Sequence, residues 1–111
     1  MADAVLVGAV RRYMDVLRRE HAFDVSRAVL FGSHAHGSAD EWSDIDVIVV
    51  ARRFDQGIAR PDVELLWRVA ARTDSRIEPI PCGVRQWTDD QSSATIEIAR
   101  REGQVILPDA A

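Results

Sequence analysis

The stretch Asp44 to Ala51 (DIDVIVVA) constrains the fold more than any other part of the chain. Beyond its two acids it is built from Val, Ile and Ala. β-Branched side chains fit a pleated surface and lose rotamer freedom in a helix. This stretch is therefore the clearest strand of the sequence. A second short apolar run, Arg27 to Phe31 (RAVLF), is closed by Gly32 and suits a buried strand. Between the two, Gly32 to Ser43 (GSHAHGSADEWS) is rich in glycine and small polar residues, so it reads as a loop with at most one helical turn.

Helical periodicity frames these strands. From Asp3 to Ala22, Leu6, Ala9, Val10, Tyr13 and Leu17 fall on one face. Arg11, Asp15, Arg18 and Arg19 take the other, as a solvated surface with pairs such as Arg11–Asp15. His21, at the end of this helix, is placed to meet its terminal carbonyls. Pro61 opens a second helix, in which Val63, Leu66, Trp67 and Ala70 form the apolar face and put Trp67 in the core. Arg76 to Ile80 (RIEPI) reads as a third strand. Pro79 and Pro81 would both remove amide donors from one lateral side, so this strand lies at a sheet edge or stops near Pro79. Asp90 to Glu102 reads as a helix begun at Asp90 or Ser92 and stopped by Gly103, although Thr95 to Ile98 (TIEI) would also alternate as a strand. Gln104 to Leu107 is a short last strand before Pro108. The expected fold class is α/β (α+β): a small mixed sheet of three or four strands with helices packed mainly on one side, forming one domain over residues 1–111.

Composition narrows the function classes. The 111 residues are 47% hydrophobic and 29% charged, enough for one core without metal or disulfide staples. A formal charge of -4 argues against a nucleic-acid binder working through a broadly basic surface. All 14 basic residues are arginine, which excludes Schiff-base and P-loop chemistry that depends on lysine. Cys82 is the one cysteine, so it forms no intramolecular disulfide or multi-thiolate zinc site and is simplest as a small buried hydrophobe. No apolar run approaches a membrane span and no leader pattern opens the chain, so a cytoplasmic address is expected.

The chemistry concentrates between Val29 and Val50. Gly32 and Ser33 follow a strand, ten residues intervene, and Asp44-Ile45-Asp46 opens the next strand. Alternation puts Asp44 and Asp46 on one face, about 7 Å apart along the chain. Two carboxylates at that spacing invite a hard divalent cation, which takes carboxylate oxygens and leaves room for phosphate. Gly32 allows close backbone approach to a phosphate, and Ser33 adds an amide and a hydroxyl donor. A phosphate turn beside a metal-binding pair is what phosphoryl or nucleotidyl transfer requires.

The span Leu30 to Val50 resembles the minimal nucleotidyltransferase (MNT) family of the DNA polymerase β superfamily, whose pattern is glycine-serine, ten residues, then aspartate-any-aspartate. A weaker likeness continues through Glu78 and the segment Arg100 to Gly103 (RREG). The resemblance implies transfer of a nucleoside monophosphate, usually AMP from ATP, with Mg²⁺ held by Asp44 and Asp46. It implies a third carboxylate on a neighbouring strand that binds metal and helps deprotonate the acceptor, and Glu78 is the candidate. It assigns the triphosphate to Gly32 and Ser33, with His36 at the position where the family commonly has arginine. It also implies a protein partner, a helical toxin of the HEPN type, with this chain as the antitoxin that adds AMP to it.

Two departures bear on this. His36, with His34 two residues before it, is largely neutral at pH 7, so neutralising the triphosphate falls partly to an arginine elsewhere. Glu78 stands where many relatives have aspartate and reaches one methylene further. Two other functions remain open: a catalytically weak member that neutralises or scaffolds a partner by binding alone, and a small-molecule transferase of the aminoglycoside type. The short chain is expected to lack the acceptor-holding domain of antibiotic- or RNA-modifying relatives. Trp42 is read as packing on the sheet, and Trp87 as core or interface.

Overall fold

The computed structural model describes residues 4–32, 43–90 and 92–109. Helix α1 (Ala4–His21) buries Leu6, Val10, Tyr13, Met14 and Leu17. Strand β1 (Arg27–Phe31) runs antiparallel to β2 (Ile45–Val50). A 3-10 turn (Arg52–Gln56) and helix α2 (Arg60–Thr73) then carry the chain over to β3 (Ile77–Cys82), which pairs with β2 in parallel. Two short helices, α3 (Val84–Asp89) and α4 (Ala94–Glu102), precede β4 (Gln104–Ile106), which pairs antiparallel with β1. The sheet order is β3-β2-β1-β4.

Each strand's period of two divides the core between the faces of the sheet. Ala28 and Leu30 of β1 and Ile45, Val47 and Val49 of β2 meet α1 and α2 in the larger cluster. Val29, Ile48, Val50 and Cys82 point the other way, where Trp87 of α3 and Ile96 and Ala99 of α4 cover them. The two long helices thus share one side and the two short ones cover part of the other. Tyr13, fully buried, donates its hydroxyl to the Leu66 carbonyl at 2.9 Å and ties α1 to α2.

The prolines of β3 are explained by its edge position. Ile45 N donates to Arg76 O at 2.8 Å and Ala51 N to Cys82 O at 3.0 Å, so the even-numbered residues of β3 face β2. Pro79 and Pro81 face the open edge, where a missing amide costs no ladder bond. The strand runs on to Cys82 for that reason.

Four expectations need correction. Trp67 is 47% exposed; the buried face of α2 is Leu66, Val69 and Ala70, centred about 100° away from Trp67 on the helix. The helix expected from Asp90 or Ser92 begins later, at Ala94, and stops at Glu102 before Gly103, and the separate helix α3 ahead of it was not expected. Asp90 spends its carboxylate on the Ser92 amide at 2.7 Å and hydroxyl at 2.6 Å, and Ser93 caps α4 by accepting from Ile96 N, local bonds that compete with helix continuation. Residues Thr95 to Ile98 are helical. Asp15 pairs with Arg18 at 2.8 Å and Arg19 at 3.1 Å, whereas Arg11 reaches across to the Leu107 carbonyl at 3.2 Å. His21 Nε2 is buried without a hydrogen-bond partner, so it makes no bond to the helix carbonyls through that nitrogen. Among the described residues no helix is long and apolar enough to cross a membrane.

Candidate active site

Because Ile45, Val47 and Val49 point into the larger core, Asp46 must emerge on the opposite face with Ile48 and Val50. The same alternation in β3 puts Glu78 on the face of Ile80 and Cys82. That face is apolar and covered at one end, and carboxylate-bearing at the other. The parallel register sets Asp46 directly beside Glu78, while β1 sets Phe31 opposite Asp46 from the other side. Neighbouring strands are about 4.8 Å apart, so these three positions form one short row across the sheet.

Gly32 closes the row. Its φ is +77°, and a Cβ there would lie 2.5 Å from Asp46 Oδ2. Any side chain would collide with the carboxylate and occupy a left-handed backbone conformation that L-residues disfavour. The glycine therefore lets the chain leaving β1 lie against Asp46.

Asp44, one residue before β2, is exposed, and Asp46 and Glu78 are half-buried. The Glu78 carboxyl lies close enough to both aspartates to feel their charge. Its carboxyl is held above the ordinary glutamate range, first by the charge of Asp44, then by partial desolvation, then by the charge of Asp46. A folded-state value above the unfolded one means that the native chain binds the extra proton in the intervening pH range. Stability from this group is complete below the ordinary glutamate value and is lost as pH rises through the raised one. The metal-free melting temperature is expected to fall over that range, and Glu78→Gln is expected to flatten the slope. A series of thermal melts in chelator from pH 4 to 8 checks this.

The three carboxyls, which crowd one another, suit a hard divalent cation, because such ions take carboxylate oxygens. Among the described residues no three His, Cys, Asp or Glu side chains stand ready as a finished ligand cage. A cation bound there would relieve the mutual repulsion that raises the Glu78 carboxyl. Ser33 and His36, like His34 and Trp42, lie outside the described residues.

A cavity of about 490 Å³, lined by Ala22, Asp24, Val25, Ser26, Arg52 and Arg53, opens where β1 begins and β2 ends. The carboxylates stand where β1 ends and β2 begins, so the length of the strands separates the two. Cys82 is fully buried, its thiol pushed up to about 11 chiefly by desolvation, and Trp87 is core. Sequence reasoning missed the Asp74–Arg76 pair, which forms the turn leading into β3. Arg76 N and Nε both donate to Asp74 Oδ1, at 3.0 and 3.1 Å, and Nη2 donates to Asp74 Oδ2 at 2.9 Å. The aspartate two residues ahead of the arginine was the available signal for this turn.

Two solved structures share the fold. One is a Sulfolobus solfataricus protein assigned as a nucleotidyltransferase: TM-score 0.55, 15% identity, covering 91% of this chain and 78% of that one. The other is a toxin-antitoxin with AMP-PNP: TM-score 0.57, 20% identity, covering 89% of this chain and 73% of that one. A comparison with curated protein sequences gives no match. The model of the nucleotidyltransferase domain family matches residues 10–104, nearly the whole length, and the chain belongs to that family.

Proposed function

We propose that this chain transfers AMP from ATP to a hydroxyl on a protein partner, as the antitoxin half of a toxin–antitoxin pair, with residues 1–111 acting as one transferase domain. The observation that carries the reading is the row of Gly32, Asp46 and Glu78, with Asp44 crowding Glu78. Asp44, Asp46 and Glu78 would hold one or two Mg²⁺, which supply charge neutralisation and Lewis-acid activation at the phosphates. The amide region from Gly32 to Ser33 would orient the triphosphate, with His36 beside it. The acceptor oxygen bonds to the α-phosphorus as the bond from that phosphorus to pyrophosphate breaks. Glu78 takes the proton from the acceptor hydroxyl.

The nucleotide and the partner are supported by the neighbour of the same fold, a toxin-antitoxin with AMP-PNP. The resemblance to MNT proteins supports a HEPN-type partner.

The test is incubation with labelled ATP, Mg²⁺ and the protein encoded by the adjacent gene. The expected result is label on that partner, lost in Asp44→Ala. Equal inhibition of the partner by wild type and Asp44→Ala without label would replace transfer by neutralisation through binding alone. Label on an aminoglycoside-type small molecule, with none on protein, would make the acceptor a small molecule.

A further inference from the structure

We propose that the cavity where β1 begins and β2 ends is a second ligand site, which takes a phosphate monoester bearing hydroxyl groups, of sugar-phosphate size. Its volume of about 490 Å³ is within the range of small-molecule sites. Arg52 follows Asp46 by six residues, about 20 Å of extended chain, so a ligand held here lies beyond reach of the carboxylates. The site is therefore independent of the transfer chemistry.

The end of α1 builds one side of it. The chain reverses at Ala22, whose φ of +51° is left-handed, with Ala22 N donating to Arg18 O at 3.1 Å and Phe23 N to Leu17 O at 3.0 Å. Phe23 and Val25 are buried, and Asp24 and Ser26 are left exposed in the lining. The 3-10 turn after β2 supplies Arg52 and Arg53. Arg53 is held in place: Nε donates to Asp62 Oδ2 at 3.1 Å, Nη2 lies 3.0 Å from Asp62 Oδ1, and the guanidinium carbon sits 4.8 Å from the centroid of the Phe23 ring. Its side chain is still 50% exposed, so a fork fixed along one edge keeps donors for a ligand at little ordering cost. Among the described residues, the side chains of Asp24, Ser26 and Arg52 make no hydrogen bond or ion pair.

The charges select the ligand. Two guanidinium groups against one carboxylate make the lining cationic, in a chain of net charge -4. A phosphate monoester, dianionic above a second pKa of about 6, matches two arginines. Asp24 repels a bare anion but accepts hydrogen bonds from hydroxyls that the anion carries, and the Ser26 hydroxyl adds a donor.

Backbone NMR of the whole chain in chelator, with ribose 5-phosphate as the probe, tests this. The amides of residues 22–26 and 52–54 should shift saturably, with a Kd on the order of 0.1–1 mM. Arg52→Gln should weaken binding about 10-fold, and Arg53→Lys should weaken it too, because an ammonium lacks the fork. Asp24→Ala should weaken ribose 5-phosphate and tighten inorganic phosphate, since only the sugar phosphate has hydroxyls for that carboxylate. Shifts that do not saturate, or a Kd unchanged by Arg52→Gln, would overturn the site. Gluconate binding as tightly as ribose 5-phosphate, or tightening of both phosphates in Asp24→Ala, would overturn the ligand class.

Discussion

Asp44→Asn is expected to lower nucleotidyl transfer by about 10³-fold, on the order of 4 kcal/mol of transition-state stabilisation. The same change is expected to make the metal-free chain melt at a higher temperature near neutral pH. Both effects come from one source. Asp44 is the largest contributor to the raised carboxyl of Glu78, so its negative charge is unfavourable until a cation arrives. Asparagine keeps the shape and removes the repulsion, together with the charge a metal needs. Added Mg²⁺ should therefore stabilise the wild type much more than the variant. Parallel melts with and without Mg²⁺, alongside transfer rates, check both halves. A variant that is less stable without metal would mean that Asp44 is held by structural bonds rather than crowded by charge.

Gly32→Ala should also act strongly, with a loss of about 10²-fold in transfer efficiency. The added methyl meets Asp46 Oδ2 at 2.5 Å, so the carboxylate must swing away from Glu78 or the chain leaving β1 must lift. The φ of +77° adds a backbone cost of about 1–2 kcal/mol for any L-residue. Gly57→Ala is a useful contrast. Gly57 also has a positive φ, +121°, yet a Cβ there meets nothing within 4 Å. It should lose stability without losing transfer. Comparable activity losses in the two variants would show that backbone strain, not displacement of Asp46, is responsible.

The strands were legible because their chemistry is local. The Val and Ile run of β2 and the apolar run of β1 admit no competing period, and the prolines of β3 pointed to an edge. Asp44 and Asp46 could be named from residue type and spacing, and Glu78 from what the family resemblance implies. Their juxtaposition could not be derived from local pattern, because the pairing of Asp46 with Glu78 is set by a parallel crossover through α2. Trp67 misled for a related reason. A large apolar residue beside Leu66 shifts the apparent apolar face, whereas the sheet below selects Val69. The break between α3 and α4 depended on side-chain bonds from Asp90 and Ser93, which compete with the helix pattern on which they are superimposed.

The covered apolar half of the sheet also bears on function. Ile48 and Val50 share a face with Asp46, and α3 and α4 dry that half. The carboxylate half is left for ligands. A strand that carries both is rigid where it is packed, and that rigidity extends to its acids.

The central claim is that this chain moves a nucleotidyl group, and the position of the label tests it most directly. With Mg²⁺ and the partner protein present, ATP labelled at the α-phosphate should leave its label on the partner, while ATP labelled at the γ-phosphate should release it as pyrophosphate. Transfer of the γ-label to protein, or no transfer of either label by a folded, MgATP-saturated chain, would contradict the account.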